Sequence, residues 1–157
     1  MKQNWKPYLF WILLAEAVGA LSGWLIREGI EIYAQTIVKP PFSPPGWVFP
    51  VVWAILYALM GIGAARIYLA SPSRERGLGL NLFVAQLVVN FFWSPVFFNL
   101  QAFGFAFFWL LLLLTLVVWM IASFRKVDSL AAKLQIPYLI WLTFAAYLNF
   151  GVWQLNM

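Results

Sequence analysis

Cysteine and histidine are both absent from the 157 residues. Without a thiol there is no disulfide, no thiolate nucleophile and no sulfur ligand for a metal. Without an imidazole there is no histidine base, no serine–histidine pairing and no histidine to hold a haem iron. Carboxylates are nearly as scarce: Glu28, Glu31, Glu75 and Asp128 fall in or beside stretches that read as loops, and Glu16 alone interrupts an apolar run. No metal site is expected from such a set. Charged residues make up only 10% of the chain, against ~25% in water-soluble domains, which is too little polar surface for a water-facing exterior.

What fills the chain is apolar and aromatic, 64% and 20% of residues respectively. Five runs, residues 8–26, 47–65, 78–100, 103–124 and 134–152, carry little or no charge, and each approaches or exceeds the ~20 residues that span a bilayer as a helix. Barrel strands would alternate apolar and polar residues, whereas Leu110–Leu114 and Val117-Val118 are apolar on every face. The expected fold is therefore all-α, a single domain over residues 1–157 built as an integral membrane bundle of five transmembrane helices. The first run contains Glu16 and ends in Arg27-Glu28, so it reads as a span and not as a cleavable signal peptide.

Basic residues give the orientation. Lys2 and Lys6, then Arg66, Arg74 and Arg76, then Arg125, Lys126 and Lys133 fall on one side, and only Arg27 and Lys39 on the other. The positive-inside bias places the N-terminus in the cytoplasm and the C-terminus outside. Topology thus accounts for the net charge of +5. With the cations dispersed over loops and forming no stripe, no nucleic-acid partner is expected.

Several local patterns point to a ligand site. Lys39-Pro40-Pro41-Phe42-Ser43-Pro44-Pro45-Gly46-Trp47 cannot be helical and forms a stiff connector leading into the second span. A rigid aromatic loop of this kind suits the closing of a pocket. Trp53 and Tyr57, Asn90 and Ser94, and the series Trp141, Ala145 and Asn149 each recur at four-residue steps, so each set shares a helix face. Three helices can turn these faces to one centre, giving ring faces for stacking and a few fixed polar groups for a flat, mostly apolar ligand. Pro95 should kink the third helix and free the carbonyl of Phe91. Ala15, Gly19 and Gly23 form a small-residue stripe for close helix approach. Trp5, Trp11, Trp24, Trp119 and Trp153, near span ends, read as interfacial anchors. Trp109 reads as lipid-facing or packing, and Glu16 as either a functional carboxyl or one satisfied inside the bundle.

The loop Lys39–Trp47 with Pro50-Val-Val-Trp53-Ala-Ile-Leu-Tyr57-Ala-Leu-Met-Gly61, then Asn90-Phe-Phe-Trp93-Ser-Pro95-Val-Phe97-Phe98, then Pro137-Tyr138-Leu-Ile-Trp141-Leu-Thr-Phe144-Ala145-Ala-Tyr147-Leu148-Asn149, resembles the tryptophan-rich sensory protein and translocator protein family, also called peripheral-type benzodiazepine receptors. The resemblance covers nearly the whole chain in order and spacing. It implies a five-helix membrane bundle, usually a homodimer, that binds protoporphyrin IX or a related tetrapyrrole and in many members sterols and isoquinoline or benzodiazepine-type ligands. Carried over to this chain, the ligand-binding residues are Trp53, Tyr57, Asn90, Trp93, Ser94, Trp141, Phe144 and Ala145, with Pro44 and Pro45 in the lid. Asn90 and the indole of Trp53 are the implied polar contacts, and Lys39 is a cation within reach of a porphyrin propionate.

The resemblance implies a tetrapyrrole-binding sensor or translocator or, alternatively, an enzyme degrading protoporphyrin by light-dependent oxidation with Trp53 and Trp141 as catalytic residues; a third alternative, a small-molecule transporter, is suggested by Glu16 and the Pro95 kink. No cofactor is required, and porphyrin enters as ligand or substrate. One departure bears on the choice. Where animal members carry a tyrosine and an arginine after Leu-Asn, this chain has Phe150 and Gln154, which fits a bacterial-type member in a prokaryotic cell membrane better than a steroid carrier.

Overall fold

The computed structural model describes residues 5–157; Lys2 of the charge argument lies outside them. The chain forms α1 (Trp5–Leu25), α2 (Arg27–Thr36), α3 (Val48–Leu69), α4 (Arg74–Ser94), a π-helical turn (Pro95–Asn99), α5 (Phe103–Arg125), α6 (Ser129–Lys133) and α7 (Ile136–Leu155), with no strand among the described residues. Five stretches, Trp5–Leu25, Val48–Leu69, Arg74–Asn99, Phe103–Arg125 and Ser129–Leu155, are long and apolar enough to cross a membrane. All five expected runs are helical, and the fold is all-α.

Local signals set several boundaries. The Ser73 side chain accepts the Arg76 amide at 3.1 Å, and Asp128 accepts that of Leu130 at 3.1 Å, which caps the starts of α4 and α6. The other oxygen of Asp128 takes the Arg66 guanidinium at 2.6 Å and ties the end of α3 to the α5–α6 corner. At Pro95 the chain stays helical (φ −61°, ψ −37°) and then widens, with the Leu100 amide donating to the Pro95 carbonyl at 3.0 Å. The missing proline N–H is thus absorbed by a change of helical spacing.

Around the bundle the packing order is α7, α5, α4, α1, α3. Lipid tails are as apolar as the helices, so association rests on close packing and internal hydrogen bonds, not on hydrophobic burial. On α5 the buried residues Ala106, Leu110, Leu113, Val117, Met120 and Phe124 step by four and three, the spacing of a seam packed on both neighbours. The α1–α3 pair is close because Gly61 sits against the backbone of Ile12 and Gly19 against the Tyr57 ring, while Ala15 is fully buried. Gly23, the last of the expected stripe, faces open space. The stripe therefore serves packing within the chain.

Two expectations are revised. Trp11 is buried against Phe83 (ring centroids 5.6 Å) and Tyr68 (6.1 Å), because it lies one turn from Ala15 on the packed face of α1; Trp5, Trp24 and Trp119 are exposed at span ends, as anchors require. The first connector is not all loop, since α2 precedes the prolines and turns Ile26, Gly29, Tyr33 and Ile37 inward. Trp109 packs, donating its indole N–H to the Val89 carbonyl at 2.8 Å. The packing makes a direct prediction: Gly61→Ala should lower stability in detergent by about 1–3 kcal/mol, because a methyl there meets backbone that cannot move aside, whereas Gly23→Ala should be neutral or slightly stabilising. Thermal unfolding of the two variants checks this, and equal effects would contradict it.

Candidate functional site

On α3, residues Phe49, Trp53 and Tyr57 stack at four-residue intervals on the face turned toward α7. From α7, Tyr138, Trp141 and Phe144 come to meet them. The Trp53 ring lies 5.4 Å from Tyr57, 6.2 Å from Tyr138 and 6.5 Å from Trp141, the last edge-on at 89°. Trp141 is flanked in turn by Phe49 and Phe144, each at 5.7 Å. The backbones of α3 and α7 hardly approach one another. This joint of the bundle is therefore made of rings, and the rings themselves fill it.

Behind the rings runs a buried chain of hydrogen bonds. The Tyr57 hydroxyl donates to Asn90 Oδ1 at 2.9 Å, Asn90 Nδ2 donates to the Tyr138 hydroxyl at 2.6 Å, and that hydroxyl donates to Gln86 Oε1 at 2.7 Å. Gln86 Nε2 ends the chain on the Met60 sulfur at 3.9 Å. Each group passes one bond to the next in a single direction, so the two tyrosines that brace Trp53 are held in place from α4. Asn90 keeps one N–H and one lone pair unused.

Trp141 is the exception to this satisfaction. Its indole N–H is shut away from solvent and has no acceptor. A buried donor left unpaired costs ~1–3 kcal/mol, so the position stores a demand for an acceptor atom amid apolar ring faces. Trp93 differs: its N–H donates to Asn149 Oδ1 at 3.0 Å, Asn149 passes a bond to the Phe103 carbonyl at 2.9 Å, and its ring stacks on Phe97 at 5.0 Å. Trp93 thus belongs to the α4–α5–α7 contact next to the seam. Ser94 is half-buried at the end of α4, and Ala145 is buried one turn beyond Trp141.

The proline loop is strapped to α7. Asn156 binds both backbone groups of Val38, at 3.0 and 2.8 Å; Tyr147 donates to the Pro41 carbonyl at 2.8 Å; and Pro40 packs on Gly151, where no side chain would fit. Pro44 is half-buried and Pro45 exposed, and a turn from the Pro45 carbonyl to the Val48 amide (3.0 Å) launches α3. The loop therefore joins α7 to α3 across the top of the seam. Phe42, at φ 69°, makes the sharp reversal and is exposed.

Lys39 is committed elsewhere. Its ammonium donates to the carbonyls of Tyr33, Ala34 and Ile37 at 3.1–3.3 Å, closing the end of α2, and lies 4.8 Å over the Tyr33 ring. Burial pushes the Tyr33 hydroxyl above its ordinary value, so the ring stays neutral and the contact is cation–π. The Lys39 ammonium, the expected partner of a propionate, is thus exposed and held at the end of α2. Glu16 is half-buried on α1, with no ion-pair partner among the described residues.

The structure brings Trp53, Tyr57, Asn90, Trp141, Phe144 and Ala145 to one seam and sets Trp93 and Ser94 at its edge. Sequence reasoning did not single out Phe49, Tyr138, Gln86 as a network member, or Asn156. Phe49, one turn before Trp53, and Tyr138, one turn before Trp141 and Leu142, continue the same faces and were readable on that basis. Asn156 and Gln86 carry no local signal of their long-range partners.

Comparison with known proteins places the chain in a family. The TspO/MBR family model matches residues 11–154. The chain is 38% identical to the translocator protein of Ovis aries over 99% of this chain and 94% of that protein. It is 37% identical to the tryptophan-rich protein TspO of Chlorobaculum tepidum, over 91% of each, and 42% identical to protein CrtK of Rhodobacter capsulatus, over 91% of this chain and 89% of that protein. A match that runs from the buried tryptophan of α1 almost to the end of α7, with relatives aligned nearly end to end, shows that this integral multi-pass membrane protein belongs to the TspO/MBR family.

Proposed function

We propose that the chain is a membrane sensor or translocator that takes a tetrapyrrole such as protoporphyrin IX into the aromatic seam between α3 and α7. The observation that carries this reading is the Trp141 indole N–H, buried without an acceptor between Trp53, Phe49 and Phe144. A flat macrocycle offers ring faces to these side chains and acceptor atoms to that donor. The seam must widen to admit it. Backbone contact is sparse at this joint, and the proline loop is tied to α7 through Asn156 and Tyr147, so α7 and its loop are suited to move as one body against α3. Sterols and isoquinoline or benzodiazepine-type compounds share the apolar bulk that such a seam accepts.

Titration of the detergent-purified protein with protoporphyrin IX in darkness tests this reading. Saturable quenching is expected, and Trp141→Phe, which keeps a ring but removes the donor, should weaken binding roughly 5- to 10-fold, the equivalent of one net hydrogen bond. Absence of saturable binding would overturn the proposal. The edge-on contact of Trp53 and Trp141 at 6.5 Å favours a second reading, light-dependent oxidation of the bound porphyrin. Under illumination that reading expects a new absorbance band, lost in Trp53→Phe and Trp141→Phe; an unchanged spectrum rules it out.

The strap makes a separate kinetic prediction. Asn156→Ala removes both bonds to Val38 and should speed porphyrin dissociation several-fold, since most changes in affinity within one site appear in the off-rate. Stopped-flow displacement measures it. An unchanged off-rate would mean that the loop does not retain the ligand.

A further inference from the structure

At the other end of the bundle from the seam, a cleft of about 280 Å³ opens between the first turns of α4 and the last turns of α5, its lining including Arg74, Glu75, Leu78, Trp119, Ser123 and Lys126. We propose that this cleft holds the anionic headgroup of a membrane phospholipid. The inference is independent of the tetrapyrrole reading.

Four observations carry it. First, the cations are available: among the described residues the ion pair is Arg66–Asp128, and neither Arg74 nor Lys126 has a carboxylate within bonding distance. Second, the cleft stands where two neighbouring spans leave the membrane, on the side that carries Arg66, Arg76, Arg125 and Lys133 as well. Basic recesses between spans at this level suit anionic headgroups. Third, Trp119 is exposed at the cleft, an amphipathic ring at the depth of the headgroups and upper acyl chains. Fourth, the lining includes Leu78, exposed one turn inward from Arg74 on α4, an apolar track along which an acyl chain can lie. A free phosphate would use the two cations but not this apolar track.

Within the cleft the charges are not all favourable. Glu75 opposes Arg74 and Lys126 and leaves one net positive charge, which makes a signed prediction possible. The Ser123 hydroxyl is engaged with the Glu75 carbonyl at 3.4 Å and is not counted as a ligand group.

The test is native mass spectrometry of the full chain released from detergent containing equal phosphatidylglycerol and phosphatidylcholine, with thermal unfolding of each variant as a check on folding. Wild type should retain phosphatidylglycerol preferentially. The double variant Arg74→Gln/Lys126→Gln should lose roughly 30-fold in that preference, from about 1 kcal/mol for each cation near the surface. Glu75→Gln should increase it, a gain that misfolding cannot imitate. The control Arg125→Gln/Lys133→Gln removes the same charge from the same side outside the cleft and should leave the preference largely intact. Equal loss in the two double variants would reduce the effect to diffuse charge and overturn the site, as would retention of both lipids alike or a decrease in Glu75→Gln.

Discussion

The hydrogen-bond chain from Tyr57 through Asn90 and Tyr138 to Gln86 is the interaction on which the rest of the structure depends. Inside a bilayer, apolar contact does not by itself tell one helix face from another, and interhelical polar bonds contribute roughly 0.6 kcal/mol each, up to about 1.7. That is modest in energy but decisive for register. Here α3 is paired with α1, and α7 with α5, while α3 and α7 barely touch. Asn90 on α4 reaches both, so its amide fixes how the two sides of the bundle face one another. The ring seam can then be apolar and loosely packed at the backbone without losing its geometry.

From this follows a division between rigid and adaptable parts. The α1–α3 contact through Gly61 and the α5 seam through Leu110, Leu113 and Val117 are close and leave no room for movement. The α3–α7 joint is bridged by side chains, and the proline loop that spans it is bonded mainly to α7. The unpartnered indole of Trp141 lies at this joint, with Trp53 and Phe49 against it. A donor left unpaired among rings is a cost to the protein that an acceptor in a ligand can relieve. Affinity gained in this way needs no charge, which suits a chain with so few charged residues in its spans.

Much of the fold was legible in the sequence because bilayer thickness imposes long apolar runs, and the five runs are the five spanning helices. What hydropathy could not resolve was direction. Leu110 to Leu114 are all apolar, yet only Leu110 and Leu113 are buried, since lipid and core look alike on such a scale. Trp11 misled for the same reason: a tryptophan near a span end satisfies both an interfacial and a core environment. Helix α2 was obscured by its brevity and its Gly29, although Ile26, Gly29, Tyr33 and Ile37 keep helical spacing. At the candidate site, four-residue spacing put Trp53 beside Tyr57, whose rings lie 5.4 Å apart, whereas Asn149, grouped with Trp141 and Ala145 on the same basis, bonds to Trp93 and to the Phe103 carbonyl. The bonds from Asn156 to Val38, and from Lys39 to the end of α2, join groups through geometry that spacing does not encode.

Trp141 is the indole left without an acceptor at the α3–α7 joint. Indole ¹⁵N–¹H spectra of the detergent-solubilised protein, assigned by single Trp→Phe variants and followed while protoporphyrin IX is added in darkness, address this directly. The Trp141 resonance should move saturably toward the position of a hydrogen-bonded indole, while those of Trp93 and Trp109, already bonded to Asn149 and Val89, stay in place. A stationary Trp141 signal at saturating ligand would contradict the account.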